Sequence, residues 1–255
     1  MRSVLREFWG DVKESVRAWR VAPLLPLITL ALQLAFYLPQ FQIRGLPGPA
    51  ELLAGIAILG GMLFYIGYVG TERLWYLAAW TRRPFGLRDV WTNSWRYFGR
   101  YLALALITMI LSLMFFVPGA VINAIFDLGW SGTGPEMITP TILIDVWLTF
   151  MTPALAYSTD RTSEAISIGW RMLKDHWRHC FIYALAPPLA GIVLLQRASP
   201  ELLATPLRLG LAFIGTLVYL ALKGATAAYY VRHYPVSVEE LAAAGRERPR
   251  RVTAR

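Results

Sequence analysis

Asp145, Arg208 and Lys223 place charge within apolar stretches of this chain. Asp145 stands in the run 139–159. An ionised carboxylate in hydrocarbon is costly, so an acid there is a functional candidate by default. At a helical rise of 1.5 Å per residue it lies about 6 to 9 Å below the outer boundary of its run. Arg208 enters the run 207–231 at similar depth, so proximity of Asp145 and Arg208 near the outer surface is expected. Lys223 lies about 24 Å from that boundary, where its long stem can reach the opposite surface. A direct Asp145–Lys223 pair is therefore not expected.

Other chemistry is sparse. His176, His179 and Cys180 have helical spacing, and three such groups can bind zinc. No second CxxC or HxxxH accompanies them and their surroundings are basic, so neither a metal nor a cofactor is expected. Cys180 reads as a small hydrophobe. No GxSxG, HExxH, Walker A or dinucleotide fingerprint occurs, so no catalytic residue is assigned. Pro118, Pro153 and Pro187-Pro188 fall inside apolar runs. Each frees a backbone carbonyl, which either lines a cavity or is satisfied in packing. Gly60, Gly61 and Gly67, and the Gly224/Ala228 pair, permit close approach of helices.

The elements that must position these residues follow from hydropathy. Of 255 residues 56% are hydrophobic, mean hydropathy is +0.46 and only 16% are charged, against about 25% in a soluble domain. Six apolar runs, near 21–40, 50–71, 101–122, 139–159, 179–196 and 207–231, each approach the roughly 20 residues that cross a bilayer as helix. They are apolar on both parities, unlike barrel strands. The segments 1–20, 72–100, 160–178 and 223–255 hold 22 Lys and Arg against 3 elsewhere. The positive-inside rule then places both termini in the cytoplasm and requires an even number of spans. No secretory signal peptide is expected, since mostly polar residues precede the first run. One integral membrane domain, 1–235, and a basic, partly disordered cytoplasmic tail, 236–255, are expected.

Three basic segments are amphipathic at helical spacing: 3–19, 87–99 and 163–177. In the last, Ile166, Gly169, Trp170, Leu173 and Trp177 share one face, with Arg171, Lys174, Asp175 and the following Arg178 towards the other. Ser94-Trp95-Arg96 matches Gly169-Trp170-Arg171 at an offset of 75, and Thr71-Glu72-Arg73 echoes Thr159-Asp160-Arg161. Trp19-Arg20 echoes Trp177-Arg178 more loosely. The expected fold is thus all-α and polytopic: six transmembrane helices in three hairpins, each preceded by a cytoplasmic interfacial helix, as parallel pseudo-repeats.

The run Asp160-Arg161-Thr162-Ser163-Glu164-Ala165-Ile166, with Gly169-Trp170, Leu173-Lys174 and Trp177, resembles the cytoplasmic signature of bacterial six-helix membrane proteins. It is similar to the glycerophosphoryl diester phosphodiesterase membrane-domain family and related uncharacterised families. That resemblance implies an all-helical domain of the bacterial inner membrane. Its namesakes carry a soluble phosphodiesterase domain, whereas about 25 polar residues follow the last run here, so that activity does not carry over.

The function expected is non-enzymatic. Trp9, Arg17, Trp91, Trp95, Arg96, Trp170, Arg171, Lys174 and Trp177 would hold anionic lipid head groups, a membrane-protein partner or a second copy of the chain. A permease or transporter subunit for a small or lipid-like solute is the alternative, a membrane-embedded enzyme the third. Nucleic acid is not an expected partner.

Overall fold

Where water is absent, a chain must satisfy its own backbone, and a helix does so within one segment. The computed structural model describes residues 2–37, 48–126, 135–191 and 205–237, which form eight helices and no strand. They are α1 (Arg2–Val21), α2 (Leu24–Tyr37), α3 (Gly48–Trp80), α4 (Leu87–Phe126), α5 (Pro135–Tyr157), α6 (Thr162–Asp175), α7 (Trp177–Gly191) and α8 (Thr205–His233). Within them, Gly55–Trp80 and Leu87–Phe126 are long and apolar enough to cross a membrane. The number is three if Ser3–Val21 and Leu24–Leu32, bent by 98°, form one broken span. Ile142–Tyr157 is a shorter apolar helix.

The packed core lies at the basic end of the bundle. In α3 every residue from Gly67 to Ala79 is buried except Val69, whereas Leu52, Leu53, Ile56 and Leu59 are exposed. In α4 the buried positions are Val90, Ser94, Tyr97, Tyr101 and Leu104; Leu106, Met109, Ile110, Leu113 and Met114 beyond them are exposed. So long a continuous apolar surface calls for lipid or another protein to cover it. At 33 and 40 residues, α3 and α4 are about 50 and 60 Å long, well beyond the roughly 30 Å of bilayer hydrocarbon.

Three buried tyrosines tie the central helices in a ring. Tyr76 of α3 donates to Leu220 O of α8 at 2.9 Å. Tyr157 of α5 donates to Arg73 O of α3 at 2.7 Å. Tyr230 of α8 shares a 2.8 Å hydrogen bond with Ser158 Oγ, at the end of α5. Small residues let neighbours close in. A Cβ on Gly67 would stand 1.9 Å from Ser94 O, one on Gly169 2.7 Å from Met151 Cγ, and one on Gly224 2.0 Å from Ser15 Oγ. One small residue on each amphipathic segment, Ser15, Ser94 and Gly169, thus packs against a neighbouring long helix: α8, α3 and α5 respectively. Burial follows the same register. Asp11, Ser15 and Ala18 match Val90, Ser94 and Tyr97, and Ala165, Gly169 and Met172.

Several expectations need correction. The 98° bend does set α1 apart from α2, and a break at His176 separates α6 from α7. The segment 87–99, in contrast, is not a separate interfacial helix. It runs unbroken into α4, straight through Gly99, because its face docks on α3. The connection before it is only 81–86, since α3 extends to Trp80. It ends in paired bonds, Arg83 N to Ala78 O and Arg82 N to Ala79 O, with Arg82 left-handed at φ 56°. The buried stripe of α6 is Ala165, Ile168, Gly169 and Met172, while Trp170 is exposed. Thr71-Glu72-Arg73 is buried within α3, whereas Thr159-Asp160-Arg161 lies in the turn after α5. Gly60 has nothing within 4 Å of a built Cβ, so it serves no close approach among the described residues.

Two glycine substitutions should therefore behave oppositely. Gly67→Ala must push α4 away at a backbone atom and is expected to cost about 1–3 kcal/mol. Gly60→Ala should gain up to about 1 kcal/mol of helix propensity. Melting in detergent, followed by size exclusion, checks both.

Candidate functional site

The extension of α3 past residue 71 carries Glu72 and Arg73 into the core, where they are 1% and 3% exposed. Arg73 Nη1 donates to Lys223 O of α8 at 2.5 Å. Arg73 Nε and Glu72 Oε1 have no hydrogen-bond partner. Beside them lies a cavity of about 120 Å³ bounded by α3, α5, α7 and α8. Its polar wall is Arg73, Asp145, Thr149, Thr152, Lys223 and Thr226; Val69, Leu148, Pro187 and Tyr219 complete it. Lys223 Nζ lies 4.5 Å from the centroid of the Tyr219 ring, a cation–π distance. Lys223 also interacts electrostatically with Glu72 and Asp145.

Prolines shape this wall. Pro187 and Pro188 offer no N–H to the carbonyls of Tyr183 and Ala184, four residues back. Thr226 Oγ1 of α8 lies 3.3 Å from Tyr183 O and 3.1 Å from Leu222 O of its own helix, and Thr149 Oγ1 of α5 lies 3.4 Å from Ala184 O while donating at 2.7 Å to Asp145 O. Pro153 likewise frees Thr149 O, which accepts from Thr152 Oγ1 at 3.4 Å. A threonine hydroxyl thus stands within reach of each of these freed carbonyls, the kind of neighbour that lets a helix-breaking residue be tolerated where water is scarce.

The structure thus brings Asp145 and Lys223 to one cavity. No ion pair joins them among the described residues, yet the difference in depth does not keep them apart. Helical rise measures Cα height, whereas the cavity spans 145 to 152 of α5, about 10 Å, and Lys223 lines it instead of running out to the surface. Arg208's side chain lies outside the described residues, and so does its expected proximity to Asp145. Sequence reasoning missed Glu72 and Arg73, which hydropathy put at a span's end. The signal was Leu74 to Trp80, apolar throughout, which continues the helix beyond the charged pair.

The expected surface residues lie elsewhere. Trp9, Trp91, Trp95, Trp170 and Trp177 are all between 51% and 60% exposed. Arg17, Arg171 and Lys174 are exposed too. Arg96 is half-buried, its guanidinium 5.5 Å from the Tyr97 ring. Trp91 stacks on Phe64 at 5.6 Å and meets Trp95 edge-on at 5.8 Å. Trp91 and Trp95 stand on the same face of α4 as Leu102, Leu106 and Met109, so the aromatic pair continues the apolar stripe. Cys180 is buried and its thiol donates to Met172 O. Among the described residues no group of three His, Cys, Asp or Glu is placed to hold a metal ion.

No family model, curated protein or solved structure matches this chain.

A second polar node fastens α1. Tyr183 of α7 donates to Asp11 Oδ2 at 2.5 Å, and Arg232 of α8 donates to the same oxygen. Arg232 also lies 3.4 Å from Glu7. Burial raises the Asp11 carboxyl above its ordinary range, against the Tyr183 hydrogen bond and the Arg232 charge, which lower it. The folded chain therefore holds this proton more tightly than the unfolded chain. Stability falls as pH rises from the ordinary carboxylate value through the raised one, and the cost stays in place above it. Asp11→Asn should match or exceed the parent's melting temperature at neutral pH, with the difference closing towards about pH 4. Asp11→Ala strips Tyr183 and Arg232 of their acceptor and should lose about 1–3 kcal/mol. Melting curves against pH test both.

Proposed function

We propose that this chain is a non-enzymatic, six-span protein of the bacterial inner membrane that holds anionic lipid head groups at its cytoplasmic face. The observation that carries this reading is the set of five exposed tryptophans at the basic end, on α1, α4, α6 and α7. A tryptophan open to water forfeits about 25 cal/mol for each Å² it could bury. The same ring is favourable at a head-group boundary, where its apolar body and N–H are both served. Arg17, Arg171 and Lys174 add about 1 kcal/mol each near anionic lipid. The shared burial register of Ser15, Ser94 and Gly169 supports three parallel units, and the 160–177 resemblance to six-helix membrane families fits the same architecture.

Two measurements test it. Reporter fusions at successive connections should place both termini in the cytoplasm with six crossings; an odd number or an external N-terminus sinks the topology. Trp91, Trp95, Trp170 and Trp177→Ala, combined with Arg17 and Arg171→Glu, should remove at least about 2 kcal/mol of attraction. Roughly thirtyfold less anionic lipid should then co-purify, by mass spectrometry, with insertion intact. Unchanged lipid would refute the lipid reading. A second reading, a permease or transporter subunit for a small solute, is favoured by the polar cavity at Arg73, Asp145 and Lys223.

A further inference from the structure

The hydrogen-bonding groups around the central cavity fall into two kinds. Arg73 Nε is a buried donor with no partner, while Nη1 of the same guanidinium is anchored on Lys223 O. Lys223, above the Tyr219 ring, supplies a second cation. The threonine hydroxyls give their protons to backbone carbonyls, so they offer lone pairs only. Asp145 adds a carboxylate acceptor to the same wall.

Charge narrows what could fit. A metal ion would be repelled by Arg73 and Lys223, and an apolar solute would leave both cations desolvated without compensation. Glu72, buried beside them, offsets part of the positive charge. A ligand with an anionic end and a donor at the other therefore matches the wall better than a bare anion. The volume of about 120 Å³ is that of several waters at about 30 Å³ each, room enough for a small ligand.

We propose that this cavity binds a small oxyanion, carboxylate or phosphate, that carries its own hydrogen-bond donor. The oxyanion sits on Arg73 and Lys223 and the donor, a hydroxyl or ammonium, on Asp145. Arg73 gives directional N–H bonds and Lys223 a point charge, the division of labour suited to oxyanions. This deepens the solute-binding reading and rests on it; the lipid reading is independent.

The test uses the full chain in neutral detergent, titrated with inorganic phosphate, glycolate and glycine, and with acetate, chloride, tetramethylammonium and glycerol as comparators. Calorimetry and thermal shift report binding, since a ligand of the folded state raises its melting temperature. At least one of the first three should bind saturably, at least tenfold tighter than acetate. Response to phosphate alone assigns a phosphate; response to glycolate or glycine assigns a carboxylate. Lys223→Met should weaken binding at least tenfold, and Asp145→Asn should abolish the preference over acetate. Because Arg73 also holds a backbone carbonyl, Lys223→Met is the deciding variant, and the parent's ligand series stands without it. Equal binding of acetate, or binding unchanged by Lys223→Met, overturns the assignment. Response only to tetramethylammonium or glycerol overturns it while leaving a solute site in place. Response to none of the compounds sinks both.

Discussion

The arrangement of this bundle depends on three phenol hydroxyls. Apolar side chains give helices little reason to prefer one another in lipid, so packing and hydrogen bonds must fix their places. Tyr76, Tyr157 and Tyr230 are fully buried, and each meets a group of the adjacent central helix or its end. A buried hydroxyl left unmet costs about 1–3 kcal/mol, so rotating or sliding any of α3, α5 and α8 is opposed at these contacts. That constraint holds Arg73 beside Lys223, and with them the cavity wall.

Small and large residues divide the work on the amphipathic segments. Ser15, Ser94 and Gly169 face inward: Ser15 Oγ abuts Gly224, the Ser94 carbonyl abuts Gly67, and Gly169 leaves no room for a side chain beside Met151. Trp95 and Trp170, one position on, face outward. On a helix one residue is a turn of about 100°, enough to separate a packing surface from an interfacial one. Sequence similarity between Ser94-Trp95-Arg96 and Gly169-Trp170-Arg171 therefore reflects two adjoining environments within three residues.

Helical character, the basic end and the exposed tryptophans were legible because each rests on composition or local period. The extent of α3 was not. Hydropathy stops at Glu72 and Arg73, since averaging treats a charge as an end, whereas the helix ends where Arg82 turns left-handed and the carbonyls of Ala78 and Ala79 are capped. Which residues of α6 pack inward was not legible, because periodicity marks an apolar face without saying what covers it; Met151 packs next to Gly169 and leaves the Trp170 indole outside. The cavity was half visible. Asp145 and Lys223 stood out as charges in apolar runs, but their meeting depends on side-chain reach and on Arg73, which no local pattern connects to residue 223.

The order of biosynthesis adds a consequence of the tyrosine ring. Its bonds join residues 144, 84 and 72 positions apart, and two of the three need α8. The α3–α4 hairpin, closed by Gly67 on Ser94, can form as soon as both helices have left the ribosome. Glu72 and Arg73 can be sealed only after α8 is made, when Lys223 and Tyr230 arrive. From the making of α3 until that of α8, then, the growing chain carries two unsealed charges at its centre.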